Sequence, residues 1–478
     1  MRGSGYIAIF IDLIDPHPGF SIPLSFQSPA VSPSVHPSTM VAKKLTIPPR
    51  QSYGTNEITS LAKNFTRILT NHTRSQAPVA TLSLADKPFD DREELGIHIE
   101  PFTTKETDLD FFRDSEKERL RLVFGVEGEE HTIQTVDNPR HRFTGVWVKP
   151  ESFLAIYSSA NLNAWMHELR DDTVLSSLSI PGTHNSPTCY LAPPSVRCQA
   201  VSLREQLQNG VRFFDIRVQP QYPQELKEEL ILVHSVFPIS LTGTKYFRDL
   251  MKEINEFLDK NPSETLIISL KREGPGDAKD EQLAHILNKH YAKDDNQRWW
   301  TRPKIPTLGE ARGKVILLRR FNIPEDLQQK HEGHGWGIDG SAWADNTANA
   351  ECPSGQLCIQ DFYEVQESTN IEKKIQYVKD HIDRASKTRY PFGEHPGPHP
   401  FYINFLSASN FWKTNTWPEK IAAKVNPAIV NYICRRHRNE DGDSSTGVLV
   451  MDWVGLDGDW DLVRCIVGMN AKLRLRQN

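Results

Sequence analysis

The sequence predicts an α/β protein: a distorted TIM-type (β/α)8 barrel preceded by a small antiparallel β-sandwich. After about residue 165, short and almost wholly apolar runs alternate with longer amphipathic stretches, the rhythm of parallel strands buried on both faces and joined by helical crossovers. Between about residues 95 and 160 the runs instead alternate apolar with polar residues, as antiparallel strands with one solvated face do. A chain of 478 residues, 38% hydrophobic and 24% charged, can bury both cores.

Residues 1–43 are expected to form a disordered tail, because "DPHPGFSIPLSFQSPAVSPSVHPST" is rich in Pro and Ser. The apolar run from Tyr6 to Ile14 resembles a secretory leader until Asp12 interrupts it. A cytoplasmic or peripheral-membrane location is therefore favoured over secretion. Residues 44–160 form the expected β-sandwich, with "LGIHIEPF", "RLRLVFGV", "HTIQTV", "RFTGVWVK" and "FLAIYS" as strands. No catalytic constellation appears there.

Residues 161–478 hold the barrel. Its strands are read as "VLSSLSI", "VRFFDIRV", "LILVHS", "TLIISLK", "KVILLRR", "LCIQDF", "FYINFLSA" and "VLVMDWV". Amphipathic stretches at 244–260, 279–292, 371–387 and 417–438 supply helices. The link "QPQYPQELKEE" after the second strand holds two prolines and is short for a helix, so the barrel is expected to be irregular there.

Charge and composition exclude several functions. A net charge of −5 argues against a nucleic-acid partner, and no apolar run of 18 residues exists to span a bilayer. The six cysteines, Cys189, Cys198, Cys352, Cys358, Cys434 and Cys465, are too sparse for a disulfide scaffold and show no zinc spacing. Buried free thiols are expected, although Cys189/Cys198 and Cys352/Cys358 are close enough in sequence to close loops.

A barrel of this type carries its site at the C-terminal ends of its strands. The polar residues there are His184, Asp215 with Arg217, His234, Lys271, Arg319 with Arg320, Asp361 and Asp452. Two imidazoles and a guanidinium suit cleavage of an anionic phosphodiester. One histidine removes a proton from a hydroxyl, the other protonates the leaving oxygen, and the arginine holds the developing charge.

The ordered set "SIPGTHNS", "GVRFFDIRV", "LVHS", "NPSETLIISLKRE", "ARGKVILLRRF", "IQDFYEV", "FYINFLSAS" and "VLVMDWV" resembles the bacterial-type phosphatidylinositol-specific phospholipase C family over roughly residues 165–475. The resemblance implies a distorted TIM barrel that cleaves phosphatidylinositol, in a membrane surface, without a metal; no cofactor is expected, and a monomer is expected. By position it makes His184 the general base, oriented by Asp452, and His234 the general acid. Arg217 becomes the phosphate ligand, supported by Asp215. Lys271, Arg320, Asp361 and Tyr363 become the inositol contacts. The expected products are diacylglycerol and a 1,2-cyclic inositol phosphate.

Asn185 departs from the bacterial pattern, which has Asp after the first histidine. Calcium-dependent relatives also carry a His-Asn pair, with the Asn as a metal ligand, but this chain keeps Arg217 where they place an acidic residue. A guanidinium there replaces the cation and repels one, so no metal is expected. Trp412 and Trp417, in a polar loop after the seventh strand, suit contact with lipid headgroups. Trp299 and Trp300 are expected to pack in a loop at the opposite end. Two alternatives stand beside this reading: a glycerophosphodiester phosphodiesterase, which typically has "HRG" where this chain has "HNS", and an inactive barrel that binds inositol lipids or a protein.

Overall fold

The computed structural model describes residues 161–193, 195–293, 297–366, 369–390, 399–435, 442–471 and 473, together with strand segments within residues 7–157. In the barrel, the elements run β1 (Ile180–Thr183), α1 (Leu203–Gln208), β2 (Phe213–Pro220), β3 (Leu230–His234), α2 (Phe247–Lys260), β4 (Leu266–Arg272) and α3 (Asp280–Ile286). They continue through β5 (Val315–Arg320), β6 (Leu357–Gln360), α4 (Thr369–Lys387), β7 (Phe401–Phe405), α5 (Pro418–Arg435), β8 (Val448–Met451) and α6 (Asp461–Gly468).

The sheet runs β5-β4-β2-β1-β8-β7-β6, with every neighbour in that path parallel. Parallel strands covered by helices bury both faces, and Leu266, Ile267, Ile268 and Leu270 of β4 are all buried. The helices follow their apolar spacing: Phe247, Leu250, Met251, Ile254 and Leu258 line the inner stripe of α2. Each such side chain contributes about 1.5–3 kcal/mol when taken fully out of water.

Two departures concern the strands. The run "LILVHS" becomes β3, but it pairs antiparallel with β2, Val218 opposite Leu232. The link of residues 221–229 is too short for a crossover, so the chain turns straight back. The run "VLSSLSI" gives only a 3-10 turn at Leu175–Ser177 before the four-residue β1.

Among the described residues the barrel is unclosed. Beyond β5 the sheet ends in the short strands Trp299–Trp300 and Ile338–Asp339, both parallel to β5. Beyond β6 it ends in the antiparallel strand Ala350–Glu351. Among the described residues no strand pairing joins these edges. Trp299 and Trp300 are buried as expected, in a strand rather than a loop.

The N-terminal strands form two sheets. One joins Ile7–Phe10, Arg121–Val126, Glu129–Gln134, Val79–Ala80 and Ile97–His98, entirely antiparallel. The other runs Thr104–Thr107, Arg67–His72, Phe153–Tyr157, Thr144–Val148. In it Arg67–His72 and Phe153–Tyr157 pair in parallel, so the region is not purely antiparallel; strands this far apart in sequence are not a hairpin and are free to align. Ile7–Phe10, assigned by sequence to the tail, is a strand, while residues 11–43 lie outside the described residues. Tyr157 fastens the second sheet to the barrel. Its hydroxyl meets Cys434 Sγ at 3.4 Å, and its ring lies against Gly468 of α6, where no larger residue fits. All six cysteines are free thiols, all but Cys189 buried.

Candidate active site

The turn after β1 delivers the first histidine. Gly182 lies so close to Phe213 that a Cβ would crowd that ring, which pins β1 against β2. Asn185 then takes a positive φ of 41°, a backbone state that Asn tolerates better than most residues. Its N–H donates to Asp215 Oδ2 at 3.2 Å. Gln199 braces the turn from behind, donating to the carbonyls of His184 at 2.7 Å and Met451 at 2.9 Å.

His184 is thereby held between two groups. Nδ1 lies 2.9 Å from Asp452 Oδ1, and Nε2 lies 3.1 Å from the Asn185 side-chain nitrogen. An amide N–H donates, so Nε2 carries the lone pair and Nδ1–H points to Asp452. Burial opposes protonation of this imidazole, but the Asp452 carboxylate outweighs it, and its pKa stands well above the ordinary histidine value. A strong base with its lone pair toward the cavity results.

Arg217, on β2, is clamped by carboxylates. Nε and Nη2 donate to Asp215 Oδ2 at 3.3 and 2.9 Å, and Nη1 to Glu273 Oε1 at 2.7 Å. One N–H on each terminal nitrogen has no hydrogen-bond partner among the described residues. Asp215 is fully buried; burial alone would raise its pKa, but Arg217 and then Arg320 hold it well below the carboxylate range. Glu273 behaves alike. Burial is outweighed by Arg217 and Lys271, which bring it to about 2.

His234 closes the opposite side. Its Nδ1 lies 2.9 Å from the Val196 carbonyl, which accepts from it, so the other nitrogen faces the cavity. The two imidazoles meet edge to face with centroids 6.0 Å apart. Burial lowers the pKa of His234, the Cys198 thiol beside it raises it, and the result lies above the ordinary value. Cys198 Sγ is 3.9 Å from His234 Nδ1.

The cavity has a volume of about 560 Å³ and is lined by His184, Arg217, His234, Lys271, Arg320, Asp361 and Tyr363, among others. Arg320 stacks over Trp343 at 4.0 Å and reaches Asp361 at 3.7 Å. The Trp343 indole N–H donates to Asp361 at 3.0 Å. Burial raises the pKa of Asp361, Arg320 only partly offsetting it. Tyr363 donates to Asp345 at 2.9 Å. Lys271 bonds Glu273 at 2.9 Å. Below the floor, Lys374 is fully buried on Gln360 Oε1 and the Phe362 carbonyl, and burial lowers its pKa to about 7.

The mouth is apolar. Trp412 is 87% exposed, Phe411 lies edge-on to it, and Phe411 stacks on Phe237 with centroids 5.8 Å apart. Val236, Leu191 and Leu241 are exposed on the neighbouring loops. Trp417 is only half-exposed and gives its indole N–H to the Phe411 carbonyl, so it braces the loop from within.

The structure thus brings His184, Asn185, Arg217, His234, Asp215, Asp452, Lys271, Arg320, Asp361 and Tyr363 together at one end of the barrel. Sequence reasoning missed Glu273, Asp345, Trp343, Phe237 and Phe411. Glu273 had a signal: it stands two residues past Lys271 on the same strand direction, hence on the same face.

A family model described as "Phosphatidylinositol-specific phospholipase C, X domain" matches residues 172–321. The 1-phosphatidylinositol phosphodiesterase of Listeria monocytogenes is 28% identical over 317 residues, 64% of this chain and 84% of its own. That of Staphylococcus aureus strain Newman is 27% identical over 321 residues, 64% of this chain and 93% of its own. A solved structure of the S. aureus phosphatidylinositol-specific phospholipase C, a mutant form, has a TM-score of 0.51 at 25% identity, covering 64% of this chain and 97% of its own. Another, solved in work on modulating that enzyme's membrane binding, has a TM-score of 0.52 at 24% identity, covering 64% and 97%.

Proposed function

With residues 172–321 matching the phosphatidylinositol-specific phospholipase C X-domain family model, we propose that this chain is a phosphatidylinositol phosphodiesterase that works at a membrane surface by metal-independent acid–base catalysis. The observation that carries the reading is one cavity with two opposed imidazoles and a carboxylate-clamped guanidinium between them.

The inositol 2-hydroxyl displaces the Asn185 amide at His184 Nε2 and gives up its proton there. The oxygen attacks the neighbouring phosphorus, an intramolecular displacement whose reactants are already oriented. The two free N–H groups of Arg217 meet the non-bridging oxygens. His234 gives its proton to the departing glycerol oxygen, releasing diacylglycerol and the 1,2-cyclic phosphate. Water then opens the cyclic ester slowly, with the histidines in exchanged roles.

The charge balance favours this course over a hard cation. Calcium or magnesium needs several free carboxylate oxygens, yet Asp215, Glu273 and Asp361 are each engaged by Arg217, Lys271 or Arg320. Lys271, Arg320, Asp361 and Tyr363 line the wall where a polyol ring fits, and an Asp361 of raised pKa suits hydrogen bonding to its hydroxyls. Phe237, Phe411, Trp412 and Val236 form the lipid contact, aromatic rings lying at the headgroup level.

Purified protein with phosphatidylinositol vesicles and EDTA should yield cyclic inositol phosphate, followed by phosphorus NMR. His184→Ala and His234→Ala should each lower the rate by about 10²–10⁴-fold. Activity that disappears in EDTA and returns with calcium would overturn the metal-free mechanism, and silence under all conditions the enzyme reading itself.

A further inference from the structure

Around His184 lies a constellation of three donor groups, of which the phosphodiesterase reaction uses His184 and Asp452 but not Cys198. A His184 ring nitrogen, the Cys198 sulfur and an Asp452 carboxylate oxygen all lie within 4.8 Å of one another. The three residues are 14 and 254 positions apart in sequence, which is why no zinc spacing was visible. Cys198 is fully buried, and its sulfur lies 3.6 Å from the Val196 carbonyl and 3.9 Å from His234 Nδ1. Independently, Asp452 is 2% exposed, and while Oδ1 is engaged by His184, Oδ2 is buried with no hydrogen-bond partner among the described residues. A buried carboxylate oxygen left without a donor is costly.

We propose that His184, Cys198 and Asp452 form an inhibitory site for a soft divalent cation, of which Zn²⁺ is the type. Imidazole, thiolate and carboxylate together are a zinc donor set, and the thiolate selects against the hard cations. Zinc bonds of about 2.0–2.3 Å place tetrahedral ligands roughly 3.3–3.8 Å apart, so the observed spacing requires the groups to draw in by at most about 1.5 Å. Asp452 Oδ2 supplies a donor atom that has no hydrogen-bond partner among the described residues. The ion enters through the cavity, which His184 and His234 line.

Binding releases the thiol proton to solvent. At His184 the ion occupies Nδ1, so the ring proton moves to Nε2. That nitrogen then has a hydrogen to give and no lone pair to accept one. The general base is switched off without any displacement of Arg217 or His234. The inhibitory consequence rests on the phosphodiesterase reading, whereas the binding itself does not.

The full chain, freed of metal with EDTA and desalted, is titrated with Co²⁺ and followed by absorption. Tetrahedral cobalt bands with a thiolate-to-cobalt charge-transfer band, saturating at one equivalent and erased by Zn²⁺, are expected. Cys198→Ser should abolish the charge-transfer band, and Cys189→Ser should keep it. Cys198→Ala is read in the same way should the serine variant not fold, as judged by circular dichroism. In the vesicle assay Zn²⁺ should inhibit, EDTA should restore, and loss of the Cys198 thiol should raise the half-inhibiting concentration by about 100-fold or more. No thiolate band in the wild type, or a band that survives without Cys198, overturns the site. Equal zinc inhibition with and without Cys198 overturns its inhibitory role. An inactive vesicle assay refutes the phosphodiesterase reading, and the cobalt spectrum still decides binding.

Discussion

Two arginines stand five residues apart on either side of the start and middle of β2, and both are paired with carboxylates. Arg212, at the bottom of the barrel, spends all five N–H groups inside the protein: Nε on Glu264 at 2.9 Å, and the others on the carbonyls of Leu207, Val211, Leu162 and Asn163. Arg217, at the top, spends three and turns the remainder to the cavity. A guanidinium with no donor left over is a rivet. One held rigidly by two carboxylates but left incomplete is a receptor for an anion, because its orientation costs nothing at the moment of binding.

The partners differ as well. Glu264 has Arg212 as its sole ion-pair partner among the described residues, whereas Asp215 and Glu273 each have a second cation, Arg320 at 3.6 Å and Lys271 at 2.9 Å. Arg217→Ala should therefore cost about 10³-fold in turnover while the melting temperature changes little, measured by vesicle assay and thermal unfolding. Arg212→Ala should do the reverse. Stranding a buried Glu264 should cost about 3–5 kcal/mol in urea unfolding, with normal specific activity in the molecules that remain folded. Equal effects of the two on both measurements would erase the distinction.

Acid sharpens it further. The pKa of Glu273 is lowered from 4.5 to about 2 in the folded protein, so its contribution to stability is complete above the ordinary value and disappears as pH falls through about 2. The difference in urea midpoint between wild type and Glu273→Gln should shrink over that window. For catalysis, His184 must be unprotonated, and Asp452 raises its pKa. The acid limb of the pH–rate profile should lie above the ordinary imidazole range and move down in Asp452→Asn. The smallest effect is expected from Asn185→Asp. A carboxylate beside His184 Nε2 should raise that limb again and alter turnover by about tenfold or less, the size of one weakly coupled charge.

How far the sequence revealed this depends on where each residue sits. Arg217, His184, Lys271, Arg320 and Asp452 end or adjoin apolar runs whose period marks them as strands, so the barrel rule alone places them on one face. Arg212 and Arg217 could not be told apart by type, only by which end of "VRFFDIRV" they occupy. The antiparallel turn of β3 was hinted by a short, proline-containing link, yet the pairing that carries His234 depends on tertiary contact. Asp345, Trp343, Phe237 and Phe411 lie in loops or in a two-residue strand, where no period exists to say which way a side chain faces. Cys198 was equally hidden, since its importance lies in neighbours distant in the chain.

The gap between β5 and β6 gives the barrel an elastic property. Elsewhere around the ring, adjacent strands are joined by ladders of backbone hydrogen bonds, which resist both stretching and shear. Across this seam the links beside the cavity are between side chains: Arg320 on Asp361 at 3.7 Å, and Trp343, beneath the guanidinium, donating its indole N–H to Asp361 at 3.0 Å. An ion pair yields to displacement more readily than a ladder does. The wall that would grip a polyol ring is therefore also the part of the circumference with the fewest backbone ties, like the split in a spring collet.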